Sequence, residues 1–503
     1  MNPDIFRAYD IRGIFGVDFQ PKDFYRIART YAGCFQPETV AVGHDVRESS
    51  PQLWQQIADG LQDAGVDVLN LGQISTDMLY FAVAHYQTDG GIVISASHNP
   101  AAYNGMKLVR QHAIPLSSDT GLLKLRDAIE NGNRFEKQSP CKRGALRTLP
   151  FLDAYLVHLR SFVNLKQLSE KQIVINANGG LAGRVAERLL AETPIQVCAR
   201  LFIEPNGTFS QIPAGRPDPL RPENRGLTVK AVQQTGADLA VAWDADADRC
   251  FFFDETGAFV EGCYISAMLA ELLLGKKGSG TVIFDPRAIW AVEAAVKKAN
   301  GTPLLNRCGH SFFKIRMRET DALFAGEASG HYYFRDNFYA DNGMIPFLLV
   351  LENLCEKRSS LAELVNPLRT KYPVSGEINF AFESHGLLYD AMNAVRHILH
   401  RLGNSFQIEA PIDGISVRFP ANHKSGTGFY PLVPGSWRFN LRASNTEPLL
   451  RLNLEAISDL PLLVEKTERL SEVLENLGGR RETAFRWENR EPPDLDWNTS
   501  NEF

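Results

Sequence analysis

Three stretches of the chain follow one local pattern: LQDAGVDVLNLG (61–72), VQQTGADLAVAWD (232–244) and VKKANGTPLLNRCG (296–309). In each, a helix-forming run ends at a small residue or glycine. An apolar run follows, and a polar loop closes the unit. Helix, tight turn and buried strand make half of a β–α–β unit, so the chain is constrained to an α/β architecture. The spread of the pattern leaves two arrangements open: three α/β domains in tandem, or one large doubly wound sheet. At 503 residues, and about 100–200 residues per domain, three or four domains are expected.

The pattern changes near Lys371–Tyr372–Pro373. Two strand-like runs follow, WRFNLRAS (437–444) and PLLRLNLEA (448–456), then the helix-like run LPLLVEKTERLSEVLENL (460–477). They predict a smaller α+β domain. Beyond Gly478–Gly479 the chain is charged and proline-containing, without periodicity, and reads as a flexible tail.

Charge and cysteine usage narrow the function. A net charge of −6 argues against a nucleic-acid partner, so an anionic ligand must be held by local cationic pockets. The seven cysteines are scattered, with no CxxC, as in a reducing cytoplasm. The N-terminus MNPDIFRAYDIRG has no signal pattern. The longest apolar run, Cys263 to Leu274, is interrupted by Glu271 and is too short to span a bilayer. A soluble cytoplasmic protein with no membrane partner is expected.

Four loops carry chemistry-bearing residues. SASHNPAAYNGMKLV (95–109) follows the apolar strand GGIV. Serine is a weak nucleophile unless activated or already phosphorylated, and no GxSxG elbow surrounds Ser97. His98 and Asn99 can bond anionic oxygens, and Lys107 adds a positive charge; an exposed turn is the plainer alternative. DADADR (244–249) follows the strand LAVAW. Asp244, Asp246 and Asp248 alternate along an extended loop and would repel one another without a cation. Oxygen-only ligands favour Mg²⁺, Ca²⁺ or Mn²⁺. An EF-hand is disfavoured, because Arg249 stands where that loop needs glycine and CFFF (250–253) reads as a strand. A solvated acidic turn is the alternative. In GEASGHYYF (326–334), Glu327 and Ser329 could address vicinal sugar hydroxyls, unless this is an ordinary glycine turn with a buried His331. In RASNTEP (442–448), Arg442, Ser444, Asn445 and Thr446 offer a compact donor set for a phosphate, or a polar hairpin turn.

IFRAYDIRG (5–13), GHDVRESSP (43–51), SASHNP, DADADR, DPRAIW (285–290), GHSFFKIRM (309–317), GEASGHYYF and LRASNTEP occur in one order. In these motifs the chain resembles the α-D-phosphohexomutase superfamily over about residues 5–475, most of all its bacterial phosphomannomutase branch. The resemblance implies four domains around a central cleft: α/β domains at 1–150, 151–257 and 258–371, an α+β domain at 372–477, and a tail at 478–503. It implies that Ser97 is a phosphoserine and that Asp244, Asp246 and Asp248 hold Mg²⁺ with a phosphoserine oxygen. Glu327 and Ser329 would contact the sugar, with Arg287 and His310 adjusting to its orientation. Arg442, Ser444, Asn445 and Thr446 would bind the substrate phosphate. Arg12, His98, Lys107 and Arg249 would surround the transferring group, Arg12 and Lys107 as acid/base or charge-stabilising groups. The implied reaction interconverts mannose 6-phosphate and mannose 1-phosphate through a hexose 1,6-bisphosphate that turns over in the cleft, supplying GDP-mannose synthesis. A hinge near Tyr372 to Ser375 would ease that turn. The implied partners are hexose phosphates, with the chain a monomer or homodimer. A dual mannose/glucose enzyme is the alternative; a metal-dependent phosphatase or a non-catalytic sugar-phosphate binder fits less well. Ala245 and Ala247 stand where the family usually has Gly followed by Gly or Phe, which matters if either needs a left-handed backbone.

Overall fold

The computed structural model describes residues 1–132, 142–401, 406–420, 433–444 and 447–482. Among them the strands form four separate sheets, which decides between tandem domains and one large sheet. In the first, Thr39–His44 lies parallel to Asp67–Gln73 and to Gly90–Ile94. Tyr103–Arg110 runs antiparallel to Gly90–Ile94 and to Ile11–Ile14. The second sheet centres on Lys171–Asn176 and Leu239–Trp243 in parallel, with Cys250–Phe253 turning back antiparallel. The third pairs Thr281–Phe284 in parallel with Thr302–Leu305 and Phe324–Gly326. The fourth is antiparallel throughout and contains Ile415–Phe419, Trp437–Ala443, Leu449–Ala456 and Ile378–Ala381.

The central strands show why the apolar runs are short and unbroken. Gly90–Ile94 and Leu239–Trp243 are buried at every residue, as central strands of sheets covered on both faces are. The apolar run Cys263–Leu274 lies in the helix Gly262–Lys277, almost all of it buried. Among the described residues no helix is long and apolar enough to cross a membrane.

One continuous core links the first three sheets, joining Val83 and Val93 to Tyr155, Val241 and Trp243 and on to Phe324 and Phe347. The fourth sheet has its own core around Phe380, Leu388, Phe439 and Leu452. Its contacts with the third domain include buried polar ones. Arg438 donates to the carbonyl of Pro286 and to Glu455, and Glu455 accepts from the backbone of Ile289 and Trp290.

One expectation is corrected. Arg480–Arg481, read as the start of a tail, form a strand paired with Ile378–Ala381; residues 483–503 lie outside the described residues. The segment read as a hinge is hydrogen-bonded to the fourth sheet. The amides of Ser458, Ala456 and Ser375 bond to the carbonyls of Lys371, Pro373 and Leu454, so 371–375 is stitched along the end of Leu449–Ala456.

Candidate active site

Ser97 sits three residues beyond the buried strand Gly90–Ile94, in the left-handed region at φ 51°. A non-glycine residue pays of order 1–3 kcal/mol to stay there unless its surroundings hold it. Arg47 does much of the holding. Its fully buried guanidinium donates to the carbonyls of Ser97 (2.8 Å), Asn99 (2.7 Å), Pro100 (2.7 Å) and Tyr103 (2.9 Å), and Nε donates to Asp45 (3.1 Å). Ser95 Oγ accepts the Ser97 amide at 2.9 Å. The Ser97 hydroxyl is 3.1 Å from His98 Nδ1 and 3.4 Å from Asp244 Oδ2. Burial, then Arg249 and Arg12, press the His98 pKa well below the usual histidine value, so that ring is neutral.

The aspartate loop lies against this one. Asp246 accepts from Thr76 Oγ1 at 2.7 Å and Ser95 Oγ at 3.1 Å, both from the first domain. The antiparallel register sets Lys107 opposite Val93. From there its ammonium reaches Asp246 at 2.5 Å and Asp248 at 2.6 Å. Burial would lower the Lys107 pKa, but the two carboxylates outweigh it and raise it, so the lysine stays charged and is a poor base. Asp244 pairs with Arg249 Nε at 3.0 Å, and burial pushes its carboxyl up against that pull. Burial also acts on Asp248, but Lys107 and His331 outweigh it and hold it below the usual carboxylate range. Only Asp248 of the three reaches the cleft wall; Asp244 and Asp246 are buried behind it. Ala247 takes φ 56°, the left-handed conformation, while Ala245 does not. Gly180 permits close contact with this loop, since a Cβ there would meet the Ala245 carbonyl at 2.4 Å.

The donor set suits a hard cation: three carboxylates beside a serine oxygen, with Asp248 Oδ1 buried and without a hydrogen-bond donor among the described residues. A second cluster was not foreseen. Ligand atoms of Asp248, His331 and Asp341 lie within 4.8 Å of one another. Asp341 is already paired with Lys314 at 2.7 Å and with His331 Nδ1 at 2.9 Å, so this group reads as an internal ion-pair network. Burial acts to lower His331, but Asp248 and Asp341 outweigh it and raise its pKa.

One cleft of about 1240 Å³ takes its lining from all four domains. Arg12, Ser97, His98 and Lys107 come from the first, and Asp248 and Arg249 from the second. Arg12 is fixed by Asp10 at 2.7 Å and Asn99 at 2.8 Å. From the third come Arg287, His310, Glu327, Ser329 and His331. Arg287 Nη2 bridges Asp285 (2.7 Å), Glu327 (3.2 Å) and Ser329 (3.2 Å), and Tyr333 donates to Glu327 at 2.5 Å. His310 is buried, edge-on to Tyr9 at 4.8 Å between centroids and 3.1 Å from Lys314 Nζ. The fourth domain adds Arg442 and Ser444; Asn445 and Thr446 lie outside the described residues.

The sequence reading missed Arg47, although it lies within GHDVRESSP, because its role is to bind backbone carbonyls rather than substrate. It also missed His331 with its partner Asp341, and Glu377 and Arg451 on the fourth domain's wall. For Asp341 no local signal exists, since the loop and its partner meet only in three dimensions.

Models of phosphoglucomutase/phosphomannomutase α/β/α domains I, II and III match residues 3–134, 153–257 and 261–372. A phosphomannomutase from Salmonella typhimurium is 43% identical over 473 residues, 93% of this chain and 98% of that protein. The chain belongs to the phosphoglucomutase/phosphomannomutase family. A Xanthomonas campestris protein named for phosphohexose mutases is 42% identical over 469 residues, 93% of this chain and 98% of its own. A solved family member from Burkholderia thailandensis superposes with a TM-score of 0.80 at 27% identity, covering 96% of this chain and 99% of that one.

Proposed function

We propose that the protein is a phosphomannomutase, an isomerase that interconverts mannose 6-phosphate and mannose 1-phosphate through a phosphorylated Ser97. The observation that carries this reading is the composition of this cleft. Ser97 and Arg12 face it from the first domain, Asp248 and Arg249 from the second, Glu327 and Ser329 from the third, and Arg442 and Ser444 from the fourth. A reacting oxygen and a separate phosphate clamp in one cavity suit a substrate that carries one phosphate while it gains another.

In the first half-reaction the Ser97 Oγ–P bond breaks and a P–O bond forms to the free 1- or 6-hydroxyl, giving a hexose 1,6-bisphosphate. The hydroxyl proton must leave. Lys107 is locked as an ammonium and His98 is a weakened base. His331 in its neutral form, oriented through Nδ1 by Asp341, would take the proton, and Asp248 and Asp341 favour the imidazolium that results. Arg12, Lys107 and Arg249 hold positive charge around the transferring group. The bisphosphate then turns, with Arg442 and Ser444 exchanging one phosphate for the other, and Ser97 recovers the second phosphoryl. A Mg²⁺ ion held by Asp244, Asp246, Asp248 and the serine oxygen would make the phosphoryl group more electrophilic and screen charge building on its oxygens. The free thiols Cys250, Cys263, Cys308 and Cys355 are buried and suit a reducing cytoplasm.

Glucose phosphates are a second substrate class. A pair reading O3 and O4, as the family resemblance implies for Glu327 and Ser329, would not see C2, the only centre at which the two sugars differ. A coupled assay with mannose 1-phosphate and glucose 1-phosphate, with and without the matching 1,6-bisphosphate, tests both readings. Turnover of mannose 1-phosphate that rises with the bisphosphate is expected. Release of inorganic phosphate in place of the 6-phosphate would contradict a mutase.

A further inference from the structure

Asp77, the second residue of the helix Thr76–His85, is buried where the first three domains meet. Its carboxylate accepts four hydrogen bonds. Oδ1 accepts from Ser75 Oγ and from the Met78 amide at 3.0 Å, both local. Oδ2 accepts from the Tyr155 hydroxyl of the second domain and from Asn342 Nδ2 of the third at 3.2 Å. Asn342 cannot turn around. Its Oδ1 accepts the amides of Met344 (2.7 Å) and Ile345 (2.9 Å), which fixes Nδ2 as the end facing Asp77 and Tyr155. One oxygen of Asp77 therefore serves its own helix, and the other ties that helix to two further domains.

The chain neighbours of these residues support the site. Thr76 meets the aspartate loop twice, its hydroxyl donating to Asp246 Oδ2 at 2.7 Å and its amide to the Asp246 carbonyl at 3.3 Å. Asp341, next to Asn342, pairs with His331 Nδ1 at 2.9 Å. A tie that only joined domains would cost less as a neutral amide, because a buried carboxylate loses its hydration. All four donors to Asp77 are neutral, and burial pushes its carboxyl up to about 7. We propose that Asp77 is a positioning residue that fixes the helix end carrying Thr76 against the strand carrying Asp341, and so aligns the metal loop with His331. The inference deepens the mutase reading and rests on it. Thr76 and Asp341 support the metal loop and the proton acceptor rather than the sugar pair or the phosphate clamp. Losing their alignment should lower Mg²⁺ affinity and kcat and leave KM nearly unchanged.

Asp77→Asn keeps the shape and removes one acceptor. The Met78 amide holds the new carboxamide oxygen, so the NH₂ faces Asn342 Nδ2, donor against donor. The test is isothermal titration of Mg²⁺ into the metal-stripped full-length protein and into this variant, with steady-state kinetics on mannose 1-phosphate beside it. Loss of an outer support predicts about tenfold weaker Mg²⁺ binding. At saturating Mg²⁺, kcat should fall about tenfold with KM within about twofold. Adding Asn342→Asp returns an acceptor to the contact from the other side and should recover most of both losses; no recovery would overturn the inference. Tyr155→Phe removes one interdomain donor and should weaken Mg²⁺ binding about threefold; it carries the test if Asp77→Asn does not fold. Parent-like Mg²⁺ affinity and kcat in the folded variant would make Asp77 a structural tie and overturn this inference alone. A parent that binds no Mg²⁺ overturns the metal reading and this inference with it. A parent that binds Mg²⁺ but leaves mannose 1-phosphate unconverted overturns the mutase reading, and the Mg²⁺ titrations still decide the role of Asp77.

Discussion

Replacing Arg47 with lysine tests whether the serine loop is held from beneath. Each of the five guanidinium N–H donors of Arg47 has an acceptor: four backbone carbonyls of residues 97–103 and the Asp45 carboxylate. A lysine ammonium has three donors on one nitrogen, so at least two of those acceptors lose their partner. A buried acceptor left unsatisfied costs about 1–3 kcal/mol, which puts Arg47→Lys at roughly 2–6 kcal/mol. The loop is also where Ser97 holds its left-handed backbone at φ 51°. Losing the clamp should let Ser97 relax, so the variant should lose phosphoryl acceptance as well as stability. Urea unfolding measures the first, and intact mass after incubation with a hexose 1,6-bisphosphate measures the second. A variant within about 1 kcal/mol of the parent that still becomes fully phosphorylated would refute the argument.

Three more predictions concern the charges and backbone around the cleft. Lys107→Met strips the cation from buried Asp246 and Asp248 and should cost about 3–5 kcal/mol in EDTA. Mg²⁺ should stabilise that variant more than the parent in urea melts, and equal increments would contradict a shared carboxylate site. Glu377, half-buried among Arg451, Arg442 and Arg287, has its pKa lowered to about 2 by those arginines against the effect of burial. Its folded pKa lies below the unfolded one, so its contribution of about 3 kcal/mol is present at neutral pH. That contribution is lost as the pH falls from about 4.5 towards 2. Glu377→Gln should remove that part of the stability–pH slope, and an unchanged slope would count against the pairing. Ala247→Gly should raise urea stability by up to about 1 kcal/mol, because alanine is strained at φ 56°. Ala245→Gly should lower it by about 0.5–1 kcal/mol, and the opposite order would mean the loop is not strained where its backbone indicates.

Much of this architecture was legible in the chain because local periodicity carries it. The three repeated patterns are the helices Ser50–Asp63, Gly226–Thr235 and Trp290–Lys298 with the strands that follow them. The runs 437–444 and 448–456 are strands as read, and 460–477 is a helix. The four polar loops were found because each follows or joins an apolar strand, and all four reach one cleft. What stayed hidden depends on contacts between distant residues. Arg47 acts on a loop some fifty residues away through backbone carbonyls, which have no sequence signature. Lys107 was legible as a cation beside Ser97, but its clasp of two aspartates from the next domain depends on how two sheets meet. Arg451 looked like one polar residue of an alternating strand, and only the register reveals that it faces Arg442.

The central claim is that the Ser97 oxygen carries the phosphoryl group. Intact-mass and peptide mapping of the protein, after brief exposure to mannose 1,6-bisphosphate, tests it most directly. The account predicts a single phosphate on Ser97 that disappears when mannose 6-phosphate is added, and no labelling or mutase activity in Ser97→Ala. Sustained isomerisation by Ser97→Ala, or by protein whose Ser97 never gains mass, would contradict it.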